Sequence, residues 1–404
     1  MNAALLFFIA LIATALAMQS WVERVRVPFS VFLVVLGFLA SEAFIAAGGD
    51  TGLRWQHFGT LVFHVLLPAL IFEAAFNIDA RLLWRNLGLV LLLSIPMMVI
   101  SAGVTGALLF YGLDHASGFP WIAALLGGAI LAATDPGAVL ASFRRLGVPA
   151  RLSVLTDGES LFNDATAVVL FMLLLGLAQH GGSIEAGAVG LAFLRVFFGG
   201  ILVGAGIAGI ASVIRLGSRE PIAVGVLTLL SAYGSYFVAE SVAVSGVVAT
   251  LSTGLLLGHL ERRRNDSDGR RSLHLLWEYQ GWLANTLIFL LAGVSVQITM
   301  FSEQWQAISI GVAAVLAARA LGLLLVVPLA SQLPGIDAIP LRWLTVLHWS
   351  GVRGAVTLAL ALSLPTDLPY WWTLQSISYG VVLFTLLVQA TSMEALLRRL
   401  KISD

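Results

Sequence analysis

The chain is 404 residues long, 59% hydrophobic and only 11% charged, with a mean hydropathy of +0.95. Soluble domains carry about 25% charged residues, so the surplus apolar surface needs a lipid bilayer as its solvent. The absence of cysteine excludes disulfides, thiolate metal sites and cysteine nucleophiles, and a net charge of zero gives no footprint for nucleic acid.

A helix needs about 20 apolar residues to cross about 30 Å of hydrocarbon. Thirteen segments meet that requirement, the first at 3–19. It ends in Ala15-Leu16-Ala17, which resembles a signal-peptide cleavage site, but no basic residue precedes it. It is read as a spanning helix. The others run approximately 28–47, 57–76, 87–111, 119–141, 154–178, 188–213, 221–238, 242–259, 273–297, 305–330, 341–363 and 371–396. The charged stretch from Glu261 to Arg271 is expected to be a loop.

Counting Lys and Arg in alternate loops tests this topology. One set holds 18 of the 22 basic residues, among them Arg26, Arg81, Arg144, Arg145, Arg219, Arg262 and Arg398. The other set holds Arg54 alone, and Arg195, Arg319 and Arg353 lie inside apolar segments. A miscounted helix would scramble that alternation. The bias predicts thirteen spans, an outside N-terminus, a cytoplasmic C-terminus and a place in the cell inner (plasma) membrane.

Two segments are internally broken. The fifth contains Thr134-Asp135-Pro136-Gly137, and the twelfth contains Ser350-Gly351-Val352-Arg353-Gly354. Proline removes a helix hydrogen bond and glycine permits unwound backbone. In lipid such breaks survive only where protein or a wet cavity satisfies the freed groups. The breaks lie seven segments apart, the offset of two six-helix repeats, 1–6 and 8–13, of opposite orientation. Broken helices in matching positions mark a transporter's midplane site.

Ionisable residues inside spans are costly and point to function. Here they are Glu42, Glu73, Asp135, Glu159, Asp164, Arg195, Arg319 and Arg353. The sixth segment carries Asp157-Gly158-Glu159-Ser160-Leu161-Phe162-Asn163-Asp164. At about 100° per residue Ser160 and Asp164 share one stripe, and Glu159 and Asn163 the next. Asp164 falls roughly 15 Å deep, near the bilayer centre. A lone carboxylate there must be protonated, paired with a cation or solvated through a cavity, each of which suits a protein that exchanges protons for another cation. The bland alternative is a hydrogen bond to a neighbouring helix. Asn163 and Ser160, with the Thr134 hydroxyl and freed carbonyls around it, offer the oxygens a hard cation wants.

Glu159 and Arg319 would each be prohibitive alone, and as a buried pair they cancel, with proton carriage by Glu159 as the alternative. Asp135 and Arg353 are expected to neutralise half-helix ends, each worth about half an elementary charge, with direct ligation of the ion as the alternative. Glu73, one turn inside the third segment, either attracts cations at a cytoplasmic entrance or simply reaches the interface. Glu42 and Arg195 are expected to snorkel. His64 and His348 are read as packing residues, with proton relay as the alternative.

Taken together, Phe72-Glu73, Thr134-Asp135-Pro136, Gly158-Glu159-Ser160-Leu161-Phe162-Asn163-Asp164, Gly351-Val352-Arg353-Gly354-Ala355 and, more weakly, Ala318-Arg319-Ala320-Leu321-Gly322 make the chain resemble a family. It resembles the electroneutral branch of the monovalent cation/proton antiporters, the sodium/proton exchangers and their bacterial relatives. The resemblance implies an all-α polytopic fold and a homodimer. It implies a dimerisation part at about 1–80 and 186–300, and an ion-carrying core at about 81–185 and 301–400. It also implies an elevator motion of that core, an ion held where broken helices five and twelve cross, and no enzymatic activity. Asp164 is then the ion and proton carrier with Asn163, Ser160 and Thr134 around it. Asp164, Ser160 and Thr134 would ligate sodium, and Glu159 with Arg319 would form a structural ion bridge. The Asn163-Asp164 pair resembles the electroneutral branch, where one cation leaves for one proton. Val352 departs from the leucine common in that motif.

The sequence predicts no cofactor, only transported sodium (or lithium or potassium) and protons, with membrane lipid as the other partner. It also predicts no soluble regulatory domain. Potassium/proton exchange needs only a wider shell. A sodium-coupled organic-acid symporter needs more hydrogen-bonding side chains on the broken helices than the sequence has. A channel needs a ring of repeated acids or carbonyls, and no nucleophile–base pair suggests an enzyme.

Overall fold

The computed structural model describes residues 2–25, 28–46, 55–113, 118–180, 186–217, 220–264, 267–334 and 336–402. Arg26, Arg54 and Arg219, counted in the loops above, and the core boundary at 185 lie outside the described residues. Every described element is a helix. In chain order these are α1 (Asn2–Val25), α2 (Phe29–Ala46), α3 (Trp55–Leu61), α4 (Leu67–Asn77), α5 (Ala80–Arg85), α6 (Leu87–Gly112), α7 (Trp121–Ala132), α8 (Gly137–Leu146), α9 (Ala150–His180) and α10 (Ala186–Gly217). They continue with α11 (Pro221–Ser241), α12 (Gly246–Arg262), α13 (Ser267–Ser295), α14 (Ile298–Glu303), α15 (Trp305–Ala330), α16 (Leu341–Trp349), α17 (Ala355–Leu362), α18 (Trp371–Phe384) and α19 (Thr391–Leu400). Wide π turns at Val62–Leu66 and Thr385–Ala390 join α3 to α4 and α18 to α19.

Among the described residues nine helices have the length and hydropathy of a membrane span, counting α3–α4, α7–α8 and α18–α19 as one each. The other apolar helices fall short for local reasons. The apolar part of α1 is Leu6–Val22, and α12 has 17 residues. The first half of α13 carries Asp268, Arg270, Arg271 and Glu278, and α16 and α17 are halves of 9 and 8 residues. One expectation is corrected. The stretch Glu261–Arg271 is largely helical, because α12 runs to Arg262 and α13 starts at Ser267. Asp268 sits in the first turn of α13, where a negative charge favours the exposed N–H groups.

The helix ends are written in side chains. Asp79 accepts the Leu82 N–H to start α5, Glu220 with Pro221 starts α11, and Ser245 accepts the Val248 N–H to start α12. The α8 helix stops at Gly147, which takes the left-handed conformation, φ +62°.

Two groups of helices pack among themselves. In one, α6 lies against α7, α9 and α15, and α18 lies against α15 and α17. In the other, α12 lies against α4, α10 and α11, and α13 against α2 and α4. The small-residue face of α10 brings the backbones so close that the Thr253 hydroxyl of α12 donates to the Gly204 carbonyl at 3.0 Å. The groups meet where α9 touches α4, α10 and α12, and where α17 touches α3 and α13. That seam runs along α9, which also packs on α7 of the first broken helix, and along α17 of the second.

Candidate functional site

Broken helices leave backbone groups without partners inside an apolar protein. The unwound segments 133–136 and 351–354 first satisfy each other, the Asp135 N–H donating to the Val352 carbonyl at 2.7 Å. Four half-helix ends remain. Asp135 answers two of them. One carboxylate oxygen accepts the Gly137 N–H at 3.0 Å, at the start of α8, and the other accepts the Ala355 N–H at 3.3 Å, at the start of α17. One negative charge thus sits at two positive helix ends. Arg353, 2% exposed, serves a negative end: its Nη1 donates to the carbonyls of Ala132 and Ala133, both at 3.1 Å, at the C-terminus of α7.

The fourth end is that of α16, and Arg319 from α15 serves it. Its Nε donates to the Leu347 carbonyl at 2.8 Å. The same guanidinium grips Glu159 of α9 through two parallel bonds, Nη1 to Oε1 at 2.8 Å and Nη2 to Oε2 at 3.0 Å. Both side chains are buried. Such a fork is the strong form of an ion pair, and with every direction answered it tolerates burial. The glycines of the second break are steric necessities. A Cβ on Gly351 would strike the Arg319 side chain, and one on Gly354 would strike the Asp135 carboxylate.

Thr134, Ser160, Asn163 and Asp164 come together at the first break. One Asp164 oxygen accepts the Thr134 N–H at 3.1 Å. The Ser160 hydroxyl donates to the Thr134 carbonyl. Asn163 Nδ2 donates to the Ala132 carbonyl at 2.9 Å and to the Thr134 hydroxyl at 3.1 Å. Thr134, Ser160 and Asn163 are buried, whereas Asp164 keeps part of its surface open. Asn163 Oδ1 is buried with no hydrogen-bond partner among the described residues. The result is a carboxyl group with spare lone pairs, only partly covered, beside one amide oxygen, Asn163 Oδ1, that the described residues leave unsatisfied. No group of three or more His, Cys, Asp or Glu among the described residues is arranged to hold a resident metal.

Glu73 stands apart from this cluster. It is half-buried on α4, accepts a 2.9 Å hydrogen bond from Asn77 Nδ2, and abuts Gly281 of α13. Asn77 Oδ1 in turn meets the His274 ring at 2.7 Å. Glu42 and Arg195 are exposed. The His64 ring contacts the Thr60 carbonyl at 3.0 Å and stacks on Phe237, while His348 Nδ1 is buried without a partner among the described residues. Sequence reasoning missed Thr357 and Thr385. The Thr357 hydroxyl donates to the Ala133 carbonyl at 3.3 Å, and Thr385 Oγ1 accepts the Arg353 N–H at 3.0 Å. Both read as ordinary threonines in apolar helices. Their only signal is position: Thr357 follows the second break by one turn, and Thr385 opens a π turn, a feature frequent at functional sites.

A helical membrane bundle whose two interrupted helices meet beside an open carboxylate has the architecture of a secondary transporter. Residues 7–399 match the family described as sodium/hydrogen exchanger, transmembrane, and the chain belongs to that family. It is 37% identical over 384 residues to the Na(+)/H(+) antiporter ApNhaP of Aphanothece halophytica, covering 93% of this chain and 70% of that protein. It is 34% identical over 386 residues to the low-affinity Na(+)/H(+) antiporter NhaS1 of Synechocystis, with coverage of 93% and 70%. Its fold is similar to that of the sodium proton antiporter MjNhaP1 from Methanocaldococcus jannaschii, with a TM-score of 0.78 over 96% of this chain and 99% of that one. At 20% identity that likeness concerns the fold alone.

Proposed function

We propose that this multi-pass membrane protein exchanges one sodium ion, or lithium, for one proton, and that both compete for Asp164. The observation that carries the reading is the state of that carboxylate. It is anchored at the break by a single backbone N–H, partly open, and next to the unpartnered Asn163 Oδ1. A bare anion there is costly, so either a proton or a cation neutralises it. The carboxylate, Ser160, Thr134 and Asn163 supply the hard oxygens for the cation. Protonation removes the negative charge that holds the metal ion, and the metal ion disfavours protonation. Occupancy by one therefore expels the other.

The chain crosses the membrane thirteen times in this reading, as two inverted six-helix repeats, with its N-terminus outside and its C-terminus in the cytoplasm. Charge compensation at all four half-helix ends supports it, since that lets the crossing move as a unit without exposing free backbone groups. The helix group around α6, α9 and α15 is the moving core. The group around α12 and α13 is the scaffold through which two copies dimerise, and exchange follows an elevator displacement between the groups. Glu159 and Arg319 hold the core together, and Glu73 stands at the cytoplasmic entrance.

The test uses purified protein in liposomes holding a pH dye. Adding sodium collapses an imposed pH gradient, at a rate independent of membrane voltage, and Asp164→Asn abolishes the response while the protein still folds and elutes as the wild type does. Running sodium, lithium and potassium side by side reads selectivity. A response to potassium alone, or one that survives Asp164→Asn, contradicts the proposal.

A further inference from the structure

The arginine-rich end of the molecule contains a cleft that the exchange site does not use. It has a volume of about 580 Å³ and is lined chiefly by Asp79, Arg81, Trp84, His259, Arg262 and Arg263. Two separate segments build it: the turn and short helix α5 that lead into α6, and the last turn of α12. Arg262 is committed to the fold, because its Nη2 donates to the Phe76 and Asn77 carbonyls at the free end of α4. Arg81 and Arg263 are exposed, and neither forms an ion pair among the described residues. Asp79 is the one carboxylate in the lining, and its Oδ1 already accepts the Leu82 N–H at 3.1 Å. Three guanidiniums therefore face one carboxylate. Trp84, 48% exposed, adds an indole of the kind that settles where hydrocarbon meets headgroups.

We propose that this cleft binds a phosphate-bearing anion through Arg81 and Arg263, and so ties α5 to the end of α12. Guanidinium forks match phosphate oxygens in geometry as well as charge. Basic pockets between spanning helices are where acidic lipid headgroups lodge, and the volume is large enough for a headgroup. The same chemistry accepts a free phosphate, so the two sources are separated by experiment. The proposal concerns binding alone and is independent of which cation the protein carries.

Thermal unfolding of the purified protein in zwitterionic detergent is followed by tryptophan fluorescence. The additions are inorganic phosphate, short-chain phosphatidylglycerol, and short-chain phosphatidylcholine as the lipid without net charge. Phosphatidylglycerol raises the melting temperature in a saturable way and phosphatidylcholine does not. Arg81→Gln and Arg263→Gln each raise the half-saturating concentration about fivefold. Asp79→Asn keeps an oxygen to cap α5 and lowers that concentration. Arg398→Gln, the same charge change on exposed α19, leaves it unaltered. A shift with inorganic phosphate as well supports a site that needs only the phosphate group; a shift with phosphatidylglycerol alone supports a lipid site. The proposal is overturned by no shift with either anion, by an Arg398→Gln effect equal to that of Arg81→Gln, or by weaker binding in Asp79→Asn.

Discussion

Glu159 and Asp164 lie five residues apart on α9, and the protein treats the two carboxylates in opposite ways. Both Glu159 oxygens are taken by the Arg319 fork, which is itself anchored on the Leu347 carbonyl. Among the described residues Asp164 has one backbone N–H, no arginine bonded to it, and a partly open surface. Five residues turn a helix by about 140° net, enough to aim one acid at α15 and the other at the break. Under the proposed function, the contrast shows what an exchange site needs. A carboxylate whose charge is permanently answered holds helices together but can take up nothing. One left half answered has to find a mobile partner. The same logic divides the arginines, since Arg319 and Arg353 both serve carbonyls at helix ends and leave Asp164 unbridged.

The comparison is broken most severely by removing the partner of Glu159. Arg319→Gln strands a buried carboxylate and frees the α16 end. It is expected to cost about 3–5 kcal/mol, read as a large drop in melting temperature. Adding Glu159→Gln to it recovers part of the loss, because the double variant buries no uncompensated charge; a double variant no more stable than the single would break the account of the pair.

Asp135→Ala comes next. It removes acceptors from the starts of α8 and α17 together, and substitution of a helix cap costs about 1–2 kcal/mol. Asp135→Asn, which keeps one good acceptor but loses the charge, should fall between wild type and Asp135→Ala in thermal unfolding. Equal stability of all three would show that the helix ends need no compensation.

The smallest effect belongs to Thr357→Val, which withdraws one hydroxyl from the Ala133 carbonyl while Arg353 still serves it. A loss of about 0.5–1.5 kcal/mol is expected, with the exchange rate unchanged. An abolished rate in a stable Thr357→Val protein would instead make this hydroxyl part of the ion site.

Much of this was legible in the sequence because the bilayer makes polarity conspicuous. Asp164, Glu159 and Arg319 stood out as charges in apolar segments, and helical spacing put Ser160 and Asp164 on one stripe. The breaks announced themselves through Pro136, Gly137, Gly351 and Gly354. What stayed hidden depends on which helix ends face which side chain. Sequence suggested that Asp135 would neutralise a helix end, but not that its two oxygens reach two different helices. Nothing in the spacing of Arg319 foretold a third bond to Leu347, and nothing in the charged run 261–271 foretold that α13 begins inside it. Crossing geometry sets the first two, and a single turn of helix extending past the apolar stretch sets the last.

The central claim is competition at Asp164, and calorimetry of sodium binding to the purified protein tests it most directly. Titrations in two buffers of different ionisation enthalpy count the protons set free. The account predicts one proton released per sodium bound at pH values where Asp164 is protonated in the empty protein. It also predicts an affinity that weakens about tenfold for each pH unit of acidification in that range, and no binding heat in Asp164→Asn. Sodium binding that releases no proton and keeps one affinity across that range would contradict it.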